Sequence, residues 1–86
     1  MAEITLRYFA WVRERVGHGD ERAEVPATVG TVAELVAWLC ERGPEYGAAF
    51  ANPRAIRVAI DQQHAGPDAS IAGAREVAFF PPVTGG

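Results

Sequence analysis

The sequence predicts a small α+β domain in which one main helix packs on one face of a mixed sheet. Three observations lead to it. Thr31-Val32-Ala33-Glu34 is a capping box, and Val32, Leu35, Val36 and Leu39 follow on one helical face. Apolar residues alternate near the start of the chain (Ile4, Leu6, Tyr8) and dominate near its end (Val77, Ala78, Phe79, Phe80), as strands do. The 86 residues, 49% of them hydrophobic, suffice for one modest core and argue against disorder.

Taken in order, residues 4–9 read as a first strand with one buried face. In residues 10–16, Val12 and Val16 stand one helical turn apart, which predicts a short helix ended by Gly17. His18-Gly19-Asp20 reads as a loop with His18 in solvent. Residues 21–25 form a second strand stopped by Pro26. The capped helix runs from Thr31 to about Arg42 and ends at Gly43-Pro44. Residues 45–51 suggest a further short turn. Residues 55–60 read as a strand with Ile56, Val58 and Ile60 on one side, followed by a turn at Asp61-Gln62-Gln63. Loops at Gly66-Pro67-Asp68 and Gly73 lead to a last strand over residues 76–80. The predicted order is strand, strand, helix, strand, strand, with no repeats or long linkers.

The last strand is nearly all apolar, as suits a central strand or one with both faces covered. Phe79 and Phe80 point to opposite faces, so one belongs to the core and the other awaits a partner. Pro81-Pro82 cannot donate to a ladder and must leave the sheet. They favour a stiff, extended backbone, and residues 81–86 span roughly 20 Å. The chain therefore divides into a domain over residues 1–80 and an extended tail over residues 81–86. Gly85 and Gly86 carry no side chains, so a carboxylate on Gly86 fits a slot closed to bulkier residues. A loose glycine-containing stub is the alternative reading of the same two residues.

Composition narrows the function classes. Net charge is −3, so no bulk electrostatic attraction to nucleic acid is expected. All eight basic residues are arginine; without lysine, no side-chain amine of this chain can capture an activated carboxylate. Cys40 is the only cysteine, which rules out an internal disulfide and suits a small core filler. The N-terminus lacks a signal pattern and no apolar run reaches membrane-spanning length, so a cytoplasmic protein is expected. His18, His64 and Cys40 lack metal-ligand spacing, and Ser70 is the only serine, so neither a metal site nor a nucleophilic triad is expected. Trp11 and Trp38 read as residues at the core edge or an interface rather than stacking platforms.

The run Glu76-Val77-Ala78-Phe79-Phe80-Pro81-Pro82-Val83-Thr84-Gly85-Gly86 resembles the C-terminal signature of the molybdopterin synthase small subunits, ubiquitin-like sulfur carriers of the MoaD/ThiS type. Tyr8-Phe9-Ala10-Trp11-Val12-Arg13-Glu14-Arg15-Val16-Gly17 is similar to that family's opening, and the capped helix stands where the family has its main helix. The resemblance covers the whole chain, and its specificity lies in the tail. It implies a β-grasp fold. It also implies that an activating enzyme uses ATP to adenylate Gly86, that a sulfur donor converts the adenylate to a thiocarboxylate (a C-terminal thioglycine), and that a large catalytic subunit receives the tail. There the sulfur attacks a cyclic pyranopterin phosphate, and two transfers build the dithiolene of molybdopterin. No permanently bound cofactor is implied, and the resemblance implies a heterotetrameric assembly.

Carried over by position, Gly86 bears the sulfur and Gly85 gives clearance. Phe9, Phe80 and position 64 match partner-packing positions, and Pro81, Pro82, Val83 and Thr84 form the inserted arm. Position 64 is His64 where an apolar residue is usual, which implies a more polar docking edge. Gly73-Ala74-Arg75 lacks the family's acidic residue, a surface change. Sulfur carriers for thiamine thiazole or tRNA thiolation share the fold and the Gly-Gly end but usually lack the Phe-Phe-Pro-Pro run. A ubiquitin-like binding module whose tail is never activated is the alternative of another class.

Overall fold

Ile4, Leu6 and Tyr8 alternate with polar residues, and all three are buried, so the first strand takes the face its pattern assigns. The computed structural model describes residues 2–82. Strand β1 (Ala2–Tyr8) is followed by helix α1 (Ala10–Val16), strand β2 (Asp20–Val25) and helix α2 (Val32–Arg42). Helix α3 (Pro44–Ala49), a 3-10 turn (Pro53–Ala55) and strands β3 (Arg57–Ile60), β4 (Gln63–Ala65) and β5 (Glu76–Phe80) complete the chain. The five strands form one mixed sheet in the order β2-β1-β5-β3-β4. β5 is central, parallel to β1 on one side and antiparallel to β3 on the other.

Helix α2 begins as its sequence requires. Thr31 Oγ1 accepts from the Glu34 amide at 3.2 Å, and Glu34 Oε1 accepts from the Thr31 amide at 3.1 Å, closing the capping box. Its buried residues Val32, Leu35 and Leu39 pack on the sheet with Val77 and Phe79 of β5. Phe79 stacks on Tyr8 with ring centroids 5.9 Å apart and meets Phe50 edge-on at 5.0 Å. Full burial of a leucine or phenylalanine side chain contributes about 1.5–3 kcal/mol, so this layer dominates stability. Gly17 ends α1 at φ 100°, a left-handed position that favours glycine.

Three expectations need correction. Residues 63–65 form a fifth strand, where the sequence places Gln63 in a turn and assigns no strand before the Gly66-Pro67-Asp68 loop. Asp61 and Gln62 both take positive φ (48° and 71°), which turns the chain in two residues and pairs β4 with β3. Residues 44–49 are a true helix started by Pro44 at its first position. The strand expected from residue 55 begins at Arg57, because Pro53 drives a 3-10 turn first. Asp61 also ties the hairpin to the sheet: Oδ1 accepts from the amides of Arg75 and Glu76, each at 3.0 Å.

A polar cluster closes the opposite end of the sheet. Glu21 Oε2 accepts from Tyr8 Oη at 2.8 Å and from Tyr46 Oη, and His18 Nε2 lies 3.0 Å away. Arg42 Nη2 reaches Oε1 at 3.2 Å. His18 is thus part of a network, although its outer edge faces solvent. Burial alone would raise the Glu21 pKa; the hydrogen bonds from Tyr46, His18 and Tyr8 and the Arg42 charge outweigh it and hold it at about 2. Tyr46 is pushed up to about 12, by burial first and by Glu21 second.

Glu21 titrates lower in the folded protein than its ordinary value of 4.5. Its contribution is therefore fully present above that value and is lost as the pH falls from there through about 2. Acid titration followed by circular dichroism should show a stability loss on the order of 3 kcal/mol across that window. Glu21→Gln should flatten the acid limb; an unchanged limb in that variant would assign the acid sensitivity to other carboxylates.

Candidate functional site

The alternation that sends Val58, Val77 and Phe79 into the core sends their neighbours to the other face of the sheet. Ala59 and Ala78 are shielded yet stand outside the core cluster. The strand register aligns Arg7, Ala78, Ala59 and His64 in one row across β1, β5, β3 and β4. In the next row Phe80 stands opposite Arg57. Phe9 follows directly after β1, and its amide donates to the Phe79 carbonyl at 3.0 Å.

These pairings bring Phe9, His64 and Phe80 to one face, opposite the helices. The Phe80 and His64 rings meet edge-to-face with centroids 5.6 Å apart, and Phe80 is half-buried. Phe9 is 41% exposed and is the one large hydrophobic residue so exposed among the described residues. Ala10, at φ 54°, turns the chain sharply into α1 directly after Phe9. The Arg7 guanidinium lies 5.3 Å from the Phe9 ring centroid. The result is a shallow alanine floor bounded by three aromatic rings and flanked by Arg7 and Arg57. An apolar floor, aromatic anchors and arginine at the rim are the composition of a protein-docking surface.

The chain leaves the sheet beside this face. β5 ends at Phe80, and Pro81 and Pro82 leave the sheet half-buried and without strand pairing. Val83, Thr84, Gly85 and Gly86 lie outside the described residues. Sequence reasoning missed Arg7 and the alanine floor. The period-2 pattern from Phe80 back through Ala78 carries the floor on β5, but Ala59 and Arg7 join it only through the register of three strand pairs.

The other chemistry-bearing groups stand apart. Cys40 sits at the core edge with its thiol 3.9 Å from the Tyr46 carbonyl oxygen, and burial pushes its pKa up, away from a reactive thiolate. Trp11 and Trp38 pack on the core edge under Arg15 and Arg42. Among the described residues no group of three His, Cys, Asp or Glu side chains could hold a metal ion. None of the described helices is long and apolar enough to cross a membrane.

The ThiS family model matches residues 6–86 of this sequence. A curated relative, the molybdopterin synthase sulfur carrier subunit of Escherichia coli (strain K12), is 35% identical over 83 residues, which are 96% of this chain and 99% of the relative. Among solved structures, SAMP1 from Haloferax volcanii superposes with a TM-score of 0.73 at 24% identity, covering 99% of this chain and 100% of that one. A molybdopterin converting factor, subunit 1, from Pyrococcus furiosus gives a TM-score of 0.74 at 20% identity, covering 96% of this chain and 100% of that one. At those identities the two structures speak for the fold, and the fold is the ubiquitin-like β-grasp.

Proposed function

The chain belongs to the ThiS family, and on that premise we propose that it is a sulfur carrier serving as the small subunit of molybdopterin synthase. The observation that carries this reading is the relation of face to tail. Phe80 ends the central strand on the aromatic docking face, the next residues, Pro81-Pro82, leave the sheet, and Val83-Thr84-Gly85-Gly86 follow them in the sequence. A partner that grips Phe9, His64 and Phe80 thereby receives the arm that starts beside them. The full-length 35% identity to the Escherichia coli sulfur carrier subunit supports the same reading.

In this proposal the Gly86 carboxylate is a poor electrophile until an activating enzyme joins it to AMP from ATP, releasing pyrophosphate. A sulfur donor then attacks the acyl carbon and displaces AMP, leaving a thiocarboxylate. That group is ionised at neutral pH and needs no general base from this chain, since its activation came earlier. Its sulfur attacks a carbon of a cyclic pyranopterin phosphate held by the large subunit and displaces an oxygen substituent from that carbon. Water then cleaves the acyl C–S bond of the resulting thioester, leaving the sulfur on the pterin and freeing the Gly86 carboxylate. Two carriers on a dimer of large subunits supply the two sulfurs of the dithiolene. Gly85 keeps the approach narrow. The absence of lysine leaves the acyl-adenylate no side-chain amine of its own chain to react with.

Incubation with ATP, a sulfur donor and a cognate activating enzyme, followed by intact mass spectrometry, tests this directly. The expected result is replacement of one oxygen by one sulfur at Gly86. An unchanged mass with an enzyme that thiocarboxylates a control carrier refutes the carrier reading. Sulfur transfer to a thiazole or tRNA system, but not to the pyranopterin, would keep the carrier chemistry and overturn the pathway.

A further inference from the structure

A second concave surface lies on the helix side of the sheet, away from Phe80. A groove of about 420 Å³ runs between the first half of α2 and the β3–β4 hairpin. Val32, Val36, Phe50, Val58 and Ala65 form much of its walls, Ala33 stands on its helix bank, and Arg54 and Arg57 are the charged residues of the lining. The volume is that of a ligand pocket, with room for a few apolar side chains.

Two observations specify the occupant. The lining holds two arginines and no acidic residue, and none of the ion pairs among the described residues engages Arg54 or Arg57. In a chain of net charge −3 this is a locally cationic rim, complementary to carboxylates. One bank of the groove is β4, the outermost strand of the sheet, so its outer edge has no strand beside it among the described residues. Ala65 is the register partner of core-facing Val58 and so faces the groove, while His64 faces the docking side. A strand added along β4 would send alternate side chains into the groove.

We propose that this groove binds an extended, acidic segment of a partner protein, added as a strand along β4. Its alternate apolar side chains enter between α2 and β3, and its carboxylates meet Arg54 and Arg57. The site does not involve Gly86, Phe9, His64 or Phe80 and shares only Arg57 with the rim of the aromatic face, so it stands or falls apart from the sulfur-carrier reading.

The test is a titration of the isotopically labelled full chain with a blocked synthetic peptide of alternating valine and threonine ending in two aspartates, followed by amide NMR. Saturable shifts are expected in β4, Gly66 and the first turns of α2. Ala33→Trp, at an exposed helix position on the groove, and Arg54→Glu, on the exposed turn, should each weaken binding about tenfold or more. A peptide ending in two lysines should bind as weakly as the Arg54→Glu variant binds the acidic one. The proposal is overturned by an absence of shifts up to millimolar peptide, by shifts confined to the Phe9–Phe80 face, or by equal binding of the lysine peptide. Saturation by decanoate but not by the peptide would also overturn it, and would make the groove a site for small apolar carboxylates.

Discussion

A single alanine added after Gly86 should abolish sulfur transfer while leaving the fold untouched. In the proposed mechanism all the chemistry occurs at one acyl carbon, and both enzymes that handle it must close around a group with no side chain. The extension moves the carboxylate by one residue and places a methyl group where Gly86 had none. Since catalysis depends on positioning a reacting atom within a fraction of an ångström, misplacement by a whole residue should leave no measurable rate. The core is built from residues between Ile4 and Phe79, so helix content and melting temperature should match the unextended chain. The measurement is thiocarboxylate formation by intact mass, with dithiolene product as a second readout. Full activity, with mass spectra showing that the extra residue had not been trimmed, would favour a ubiquitin-like binding module whose tail is never activated.

Phe80→Asp should cost at least about a hundredfold in affinity for the large subunit, or roughly 3 kcal/mol. Phe80 is a half-buried aromatic whose neighbours on its own face are His64 and Arg57, so docking would complete its burial. An aspartate there would have to be desolvated against an apolar partner, which costs more than the lost contact area. In the free protein the same aspartate stands at the sheet surface beside Arg57 and is tolerated, so unfolding should shift by only about 1 kcal/mol. Phe80→Leu should keep most of the affinity. Phe79→Asp is the contrasting case: its side chain is fully buried between Tyr8 and Phe50, and the variant should not fold. Calorimetric titration against the large subunit separates these outcomes, and normal binding by Phe80→Asp would place the interface elsewhere.

The elements readable in the sequence are those whose signals are local. Thr31 and Glu34 announce α2 because the cap is made within four residues. Residues 76–80 read as a central strand or one with both faces covered because nearly every residue is apolar, and the sheet order selects the first. β4 was illegible: Gln63-His64-Ala65 is short and largely exposed, so no alternation marks it. Its turn uses Asp61-Gln62 in place of the Asn-Gly or Asp-Gly that would signal a tight hairpin. The Glu21 cluster was hidden for another reason. Tyr8, His18, Arg42 and Tyr46 come from different parts of the chain, and only the packing of α2 and α3 against β1 and β2 brings them to one carboxylate. For the candidate docking face the resemblance supplied Phe9, His64 and Phe80, while the strand register supplied the floor between them.

The central place of β5 has a mechanical meaning. A strand at the edge of a sheet can be peeled away one hydrogen bond at a time. β5 is held by ladders on both flanks, to β1 and to β3, and a pull on its C-terminal end runs along the strand. Such a load shears both ladders at once, so their bonds resist together rather than in sequence. The domain therefore behaves as a rigid handle: a pull transmitted through Pro81 and Pro82 works against the strongest direction of the sheet, and the domain resists unravelling under it.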